Sequence, residues 1–352
     1  MVKVDALIEV VGESESVEAA PAQLRQSEGN YRMSLKYEPI DQLKIGLILP
    51  SKGRGTGPEV LDAGCATAVD LGWTSVWVTD HLLVPRGSEA DEYGCILEAI
   101  TALSWVGARY ETLTLGTSVL VPAMRDAPLL AKQIATMDVL TKGRLIIGVG
   151  VSDSYDLPEY TNLGKADRFP DRGAYLDEAI GLWRHLWSGS TEPFLGRFHQ
   201  LEDFSFAPLP VQGASLPIWC GGRSPRAVRR SVGLTDGWHG AQTGPHDMVA
   251  RIPDIIAVAE SMNRPLPTLS VRCRVKFTEH TAPPYALCGG TDNMVNDMVE
   301  FARLGVEHLI MVFESDDPEG LERDMRRFND DVVNAVQERL AGMSGEHHGA
   351  GG

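Results

Sequence analysis

The sequence predicts an α/β fold, a (β/α)8 barrel with an insertion between strands four and five. Short apolar runs alternate with longer amphipathic segments, the pattern of βα units wound around a parallel sheet. Eight such runs lie in the body of the chain. A length of 352 residues, 43% hydrophobic and 23% charged, suits one large barrel with a sizeable core. An open sheet covered on both faces is the alternative, because it would show the same alternation.

Residues 1–43 lack sustained periodicity and are rich in Glu, Ser, Ala and Gln, so they read as a partly irregular N-terminal extension. The barrel is expected over 44–335, with strands at 44–49, 75–79, 112–118, 144–149, 216–220, 236–240, 269–277 and 308–313. The first and fourth, Ile45-Gly46-Leu47-Ile48-Leu49 and Leu145-Ile146-Ile147-Gly148-Val149, are almost continuously apolar, as strands buried on both faces are. The stretch 152–217 is too long for one connection and must hold its own elements. Within it, Tyr175, Ala179, Leu182, Trp183 and Leu186 recur at helical spacing over 171–187, and a Pro-rich run at 206–210 returns the chain to strand five. Residues 336–352 read as a C-terminal tail, disordered from Gly342 because it has little to bury, with His347 and His348 solvated rather than metal-bound.

A formal net charge of −16 sets a mean field that repels nucleic acid and anionic membranes, so any anionic ligand needs a local basic patch. Cys65, Cys95, Cys220, Cys273 and Cys288 are widely spaced and form no CxxC pair, which argues against a disulfide framework or a zinc knuckle. No metal is expected. The acidic N-terminus and the lack of a long apolar run predict a cytoplasmic, unsecreted protein without membrane or nucleic-acid partners.

In a barrel the active site lies at the C-terminal ends of the strands. Strand two ends Val78-Thr79-Asp80-His81, strand three Gly116-Thr117-Ser118-Val119-Leu120, and strand four Gly148-Val149-Gly150-Val151-Ser152-Asp153. His81 titrates near neutral pH and suits proton or hydride chemistry, with helix capping as its plain alternative. Asp80 is a candidate to act on substrate, to orient a neighbour, or to cap the next helix. Gly148-Val149-Gly150 lacks the rest of a dinucleotide fingerprint. Its glycines either let backbone approach a planar ring or make a tight turn. After strand five, Gly221 and Gly222 precede Arg223, Ser224 and Pro225, a helix start whose amides and dipole favour an anion. Arg223 lies beside the glycines and is the phosphate candidate, whereas Arg229 and Arg230 are equally well read as solvated helix residues. No GxSxG or HExxH motif occurs, which disfavours hydrolase and zinc-protease chemistry.

Taken together, ordered blocks give the chain a family resemblance. They are Leu43-Lys44-Ile45-Gly46-Leu47, Ser75-Val76-Trp77-Val78-Thr79-Asp80-His81-Leu82-Leu83, Leu115-Gly116-Thr117-Ser118-Val119-Leu120-Val121-Pro122, the run from Leu129 to Asp138, and Gly143-Arg144 through Gly150. Gly196-Arg197-Phe198-His199, Ile218-Trp219-Cys220-Gly221-Gly222 and Asp236-Gly237-Trp238 complete them. From Leu43 to about Val333 the chain resembles the luciferase-like monooxygenase superfamily, TIM barrels among which a branch uses the deazaflavin coenzyme F420.

The resemblance implies a flavin-like ring in the barrel mouth, near Ser118, Val119, Leu120, Gly150 and Val151, with its phosphate by Gly221, Gly222 and Arg223. Ser118-Val119 matches the place where the family often has a non-proline cis peptide. Asp80 and His81 would sit by ring and substrate, and this ending favours F420 over FMN. Many relatives have a glycine followed by Trp, Phe or Glu after strand four, where this chain has Val151-Ser152-Asp153. Asp153 thus stands as a candidate site carboxylate with a short side chain. The implied activity is hydride transfer between F420 and an organic small-molecule substrate. An FMN-dependent monooxygenase using molecular oxygen is the alternative, and a noncatalytic flavin-binding or interaction protein a third. A homodimer through helices two and three is expected by the same resemblance.

Overall fold

Gly46, Gly116 and Gly237 show how this barrel is filled. In a computed structural model describing residues 36–87, 93–279 and 283–349, a Cβ on Gly116 would stand 2.0 Å from the Trp77 ring, and one on Gly237 would stand 2.3 Å from the Trp219 ring. These glycines make room for two indoles where small barrels usually carry branched aliphatic residues. Trp77 and Trp219 stack with centroids 5.3 Å apart, and Ile48, Ile146 and Ile310 close around them. The Trp77 indole N–H donates to Ser75 Oγ at 2.8 Å, so its burial leaves no orphan donor.

In chain order the elements are β1 (Lys44–Ile48), α1 (Pro58–Asp70), β2 (Ser75–Val78), α2 (Ala99–Arg109), β3 (Thr114–Thr117), α3 (Ala127–Leu140) and β4 (Leu145–Val149). The insertion then supplies α4 (Leu157–Asn162) and α5 (Arg172–Trp187). The second half runs β5 (Ile218–Gly221), α6 (Pro225–Gly233), β6 (Gly237–Ala241), α7 (Pro245–Met262), β7 (Thr268–Lys276), α8 (Thr291–Arg303) and β8 (Val306–Val312). Two last helices, α9 (Pro318–Phe328) and α10 (Asn334–Gly349), follow.

Every strand from β1 to β8 pairs in parallel with the next, and β8 pairs with β1 through Lys44↔His308 and Ile45↔Leu309. That closure excludes the open sheet. Each strand begins and ends within two residues of its expected position. α5 is the helix read from 171–187, and its Trp183 and Trp187 donate to the carbonyls of Ala127 and Ala131 on α3. No helix among the described residues is long and apolar enough to cross a membrane.

Several of the sequence blocks are scaffold. The Arg144 guanidinium donates to the carbonyls of Thr141, Tyr110 and Gly107, tying together the N-terminal end of the barrel. Asp138, fully buried, accepts from the Gln212 amide and side chain, which fixes the return from the insertion. Glu178 on α5 gathers the amides of Phe198 and His199 at 2.8 and 2.7 Å, holding the turn that carries Gly196.

Residues 1–35 of the expected N-terminal extension lie outside the described residues. Near its end, Tyr37 Oη donates to the Pro267 carbonyl, and the Ile40 amide donates to Ala302. The segment from 336, read as a tail, continues instead as α10 through Gly349, because Val336 and Leu340 have an apolar face to bury. Residues 350–352 are outside the described set.

Candidate active site

Asp80 ends β2 pointing at the next strand. Its Oδ2 accepts from the Val121 amide at 3.0 Å and from Arg125 Nε at 3.1 Å, while Arg125 Nη2 donates to Oδ1 at 2.5 Å. Arg125 also pairs with Glu98, 2.8 Å away. Both oxygens of this buried carboxylate are therefore committed to holding the ends of β2 and β3 together. Of the roles open to Asp80 in the sequence, orienting a neighbour is the one this geometry carries.

His81 follows and turns toward a carboxylate that the sequence reading missed. Its Nδ1 lies 2.8 Å from Glu159 Oε2, and Glu159 Oε1 accepts from the amides of Leu82 and Leu83 at 2.5 and 3.0 Å. Glu159 comes from α4, inside the insertion, and is almost wholly buried. Burial opposes charge on His81, but the hydrogen bond and charge of Glu159, aided by Asp156 and Asp80, outweigh it and raise the imidazole above its ordinary range. Burial likewise opposes ionisation of Glu159. His81 and the two amides outweigh it and lower that carboxyl. With Nδ1 occupied, Nε2 is the nitrogen left to meet a ligand. Tyr93 lies against the ring with centroids 4.4 Å apart.

The Ser118–Val119 peptide is cis. The Ser118 amide donates to the Val78 carbonyl at 2.8 Å, and Arg272 donates to the Ser118 carbonyl at 2.9 Å. Val119 points into a nest of glycines. A Cβ on Gly150 would stand 2.6 Å from Val119 Cγ2, one on Gly221 would stand 3.3 Å from Cγ1, and one on Gly148 would meet the Thr117 carbonyl oxygen at 2.0 Å. The glycines at the ends of β4 and β5 thus seat the Val119 bulge. Leu120 is fully buried and extends the pairing of β3 with β4, so its side chain belongs to the core.

Beneath the bulge lies a buried relay. Ser118 Oγ is 2.8 Å from His239 Nε2, and His239 Nδ1 is 2.7 Å from Ser270 Oγ, which donates onward to the Trp238 carbonyl. This order assigns the proton to His239 Nδ1 and makes Ser118 the donor to Nε2. Burial, with Arg272 and His308 adding, pushes His239 down to about 3, so it is neutral and acts as an orienting group.

A cavity of about 550 Å³ opens at this mouth, lined by Asp80, His81, Ser118, Val119 and Asp153, and also by Thr79, Asp156 and Arg272. Five residues singled out from sequence are brought together here. Gly150, Val151, Gly221, Gly222 and Arg223 are not in its lining. Gly150 and Gly221 stand behind Val119. Arg223 is exposed beside Gly222, which adopts φ +116°, and Ser224 caps α6 by accepting from the Ala227 amide at 3.2 Å. The helix start after strand five is therefore as expected.

The arginines on β7 carried a readable signal, since Arg272 and Arg274 alternate with Val271, Cys273 and Val275 and so share the face that lines the mouth. Glu159 and Asp156 carried none, because they lie in an aperiodic loop and a six-residue helix.

Two curated relatives are F420-dependent glucose-6-phosphate dehydrogenases. That of Microbacterium testaceum (strain StLB037) is 33% identical over 186 residues, 52% of each chain. That of Amycolatopsis mediterranei (strain U-32) is 36% identical over 185 residues, 51% of this chain and 52% of the relative. The chain thus spans about half the length of these relatives. Among solved structures, an F420-dependent secondary alcohol dehydrogenase in complex with an F420–acetone adduct matches with a TM-score of 0.70 at 17% identity, covering 84% of this chain and 99% of that one, a likeness of fold. The family model described as luciferase-like monooxygenase matches residues 58–308. With that match running from α1 into β8, the chain belongs to the luciferase-like monooxygenase family.

Proposed function

We propose that the chain is an F420-dependent oxidoreductase that moves a hydride between the coenzyme and a small organic substrate in the mouth of the barrel. The observation that carries this reading is the His81–Glu159 pair at the end of β2, facing the same cavity as the Ser118–Val119 bulge. The residues fit such a coenzyme: Ser118 and Val119 line that cavity, and the glycine nest behind Val119 keeps the bulge pressed against it. Ser118 and Val119 would hold the ring, with Gly150 seating Val119 from behind, and Gly221, Gly222 and Arg223 would meet its phosphate.

When bound, the deazaflavin supplies a carbon that accepts or gives the hydride. The protein's residues supply orientation and a proton. Arg125 fixes Asp80, Asp80 fixes the strand end, and Glu159 holds Nδ1 so that Nε2 of His81 faces substrate. In the reductive direction the charged imidazole gives its Nε2 proton to the substrate oxygen as negative charge develops there, and in the oxidative direction the neutral ring takes it back. His239 and Arg272 keep Ser118 in place below.

His81→Ala should lower the single-turnover hydride-transfer rate by about 10²-fold or more, the usual scale for a positioned acid or base. His81→Asn keeps a donor but cannot titrate, and should recover little of the rate. Stopped-flow on coenzyme-saturated protein separates chemistry from binding. A wild-type rate in His81→Ala, with only coenzyme affinity lost, would make the histidine a binding residue.

A further inference from the structure

The cavity contains two aspartates in opposite surroundings. Asp153, the one singled out from sequence, is exposed, and its Oδ2 accepts from Tyr155 Oη at 3.0 Å. Asp156 is only 4% exposed. Its Oδ2 accepts from the Asp153 amide at 2.7 Å, while Oδ1 is buried with no hydrogen-bond partner among the described residues. Thr79 Oγ1, at the end of β2, is in the same state, and both residues line the cavity. A buried carboxylate oxygen left unpaired is costly unless a ligand brings it a hydrogen.

Asp80 is committed to Arg125, and Glu159 to His81, so neither carboxylate is the one that a ligand would meet. A hydroxyl gives a hydrogen to a carboxylate and still accepts one through its oxygen, which matches an acceptor at Asp156 Oδ1 and a donor at Thr79 Oγ1.

We propose that Asp156 and Thr79 form a subsite for a substrate hydroxyl other than the reacting oxygen, with Asp156 Oδ1 accepting the hydroxyl hydrogen and Thr79 Oγ1 donating to a substrate oxygen. The inference rests on the function proposed above, in which His81 meets the reacting oxygen. It moves the working carboxylate of the loop after β4 from Asp153 to Asp156, three residues further on. Asp156 then distinguishes hydroxylated substrates from those lacking the group, because the wrong substrate leaves its oxygen unpaired.

The test is calorimetric titration of F420-loaded protein with acetone and with hydroxyacetone, ketones that differ by one hydroxyl. Wild type should bind hydroxyacetone about tenfold or more tightly, the scale of one hydrogen bond to a charged group. Asp156→Ala should bring the two affinities within about twofold, and Thr79→Val, which removes only the hydroxyl, should narrow the gap. Asp156→Asn guards against a collapsed loop, since its amide oxygen still serves the Asp153 amide while the charge is lost, and its ratio should fall between those of wild type and Asp156→Ala. Equal affinities in wild type, or an unchanged ratio in Asp156→Ala, overturn the inference. Loss of F420 affinity in Asp156→Ala with the ratio kept would also overturn it, assigning Asp156 to the coenzyme and leaving the functional reading intact. Failure of F420 to bind the wild type would sink both.

Discussion

His81 owes its charge first to Glu159, with Asp156 and Asp80 adding. Glu159 raises the imidazole and His81 lowers the carboxyl, so the pair is fully charged between the lowered carboxyl and the raised imidazole. The His81 share of that stabilisation is complete below the unfolded value of 6.5 and fades as pH rises through the folded one, and the Glu159 share fades as pH falls through its own lowered value. Glu159→Gln removes the strongest opponent of burial, so the His81 pKa should drop, and the reductive reaction should lose rate at a lower pH than in wild type. NMR titration of the His81 ring reads this directly. A His81 pKa unmoved by Glu159→Gln would mean that Asp156 and Asp80 hold the charge instead. His81 and Asp80 were legible because a strand end in a barrel is a privileged place. Glu159 was not, standing 78 residues from its partner in a segment without period. The exposure of Asp153 and the burial of Asp156 depend on how that loop folds over β4, which three positions of sequence do not encode.

At the scale of elements, the glycines decide how strand ends meet. Read from sequence, Gly148 and Gly150 allow either a close approach to a ring or a tight turn. In the fold they admit the Thr117 carbonyl and the Val119 side chain. These two neighbours differ in how far they can yield. A Cβ on Gly148 would press on backbone at 2.0 Å, whereas one on Gly150 meets the end of a side chain at 2.6 Å. Gly148→Ala should therefore destabilise more than Gly150→Ala, with the former at or above the upper end of the roughly 1–3 kcal/mol usual for overpacking. Urea denaturation midpoints compare them, and equal midpoints would show that the β3 end shifts freely. The eight strands were legible because barrel strands are short apolar runs set between longer amphipathic segments. The helical course of 336–349 was missed because the Gly- and His-rich end outweighed the buried pair Val336 and Leu340 in the reading.

For the whole molecule, the proposed function requires an anionic coenzyme to be drawn onto a chain with a net charge of −16. Long-range attraction is absent, so local cations must do it: Arg272 and Arg274 on β7 line the mouth, and Arg223 stands just beyond the end of β5. Sequence reading located Arg223 through its glycine-rich helix start; the alternation of the β7 arginines was readable, but that they reach Ser118 after β3 follows only from barrel closure. The central claim is that this mouth is built for F420. Fluorescence titration of the purified protein with F420 and, separately, with FMN tests it most directly. The account predicts saturable F420 binding, tighter than that of FMN and weakened by salt as the local cations are screened. FMN binding at least as tight as F420, or no saturable F420 binding at low salt, would contradict it.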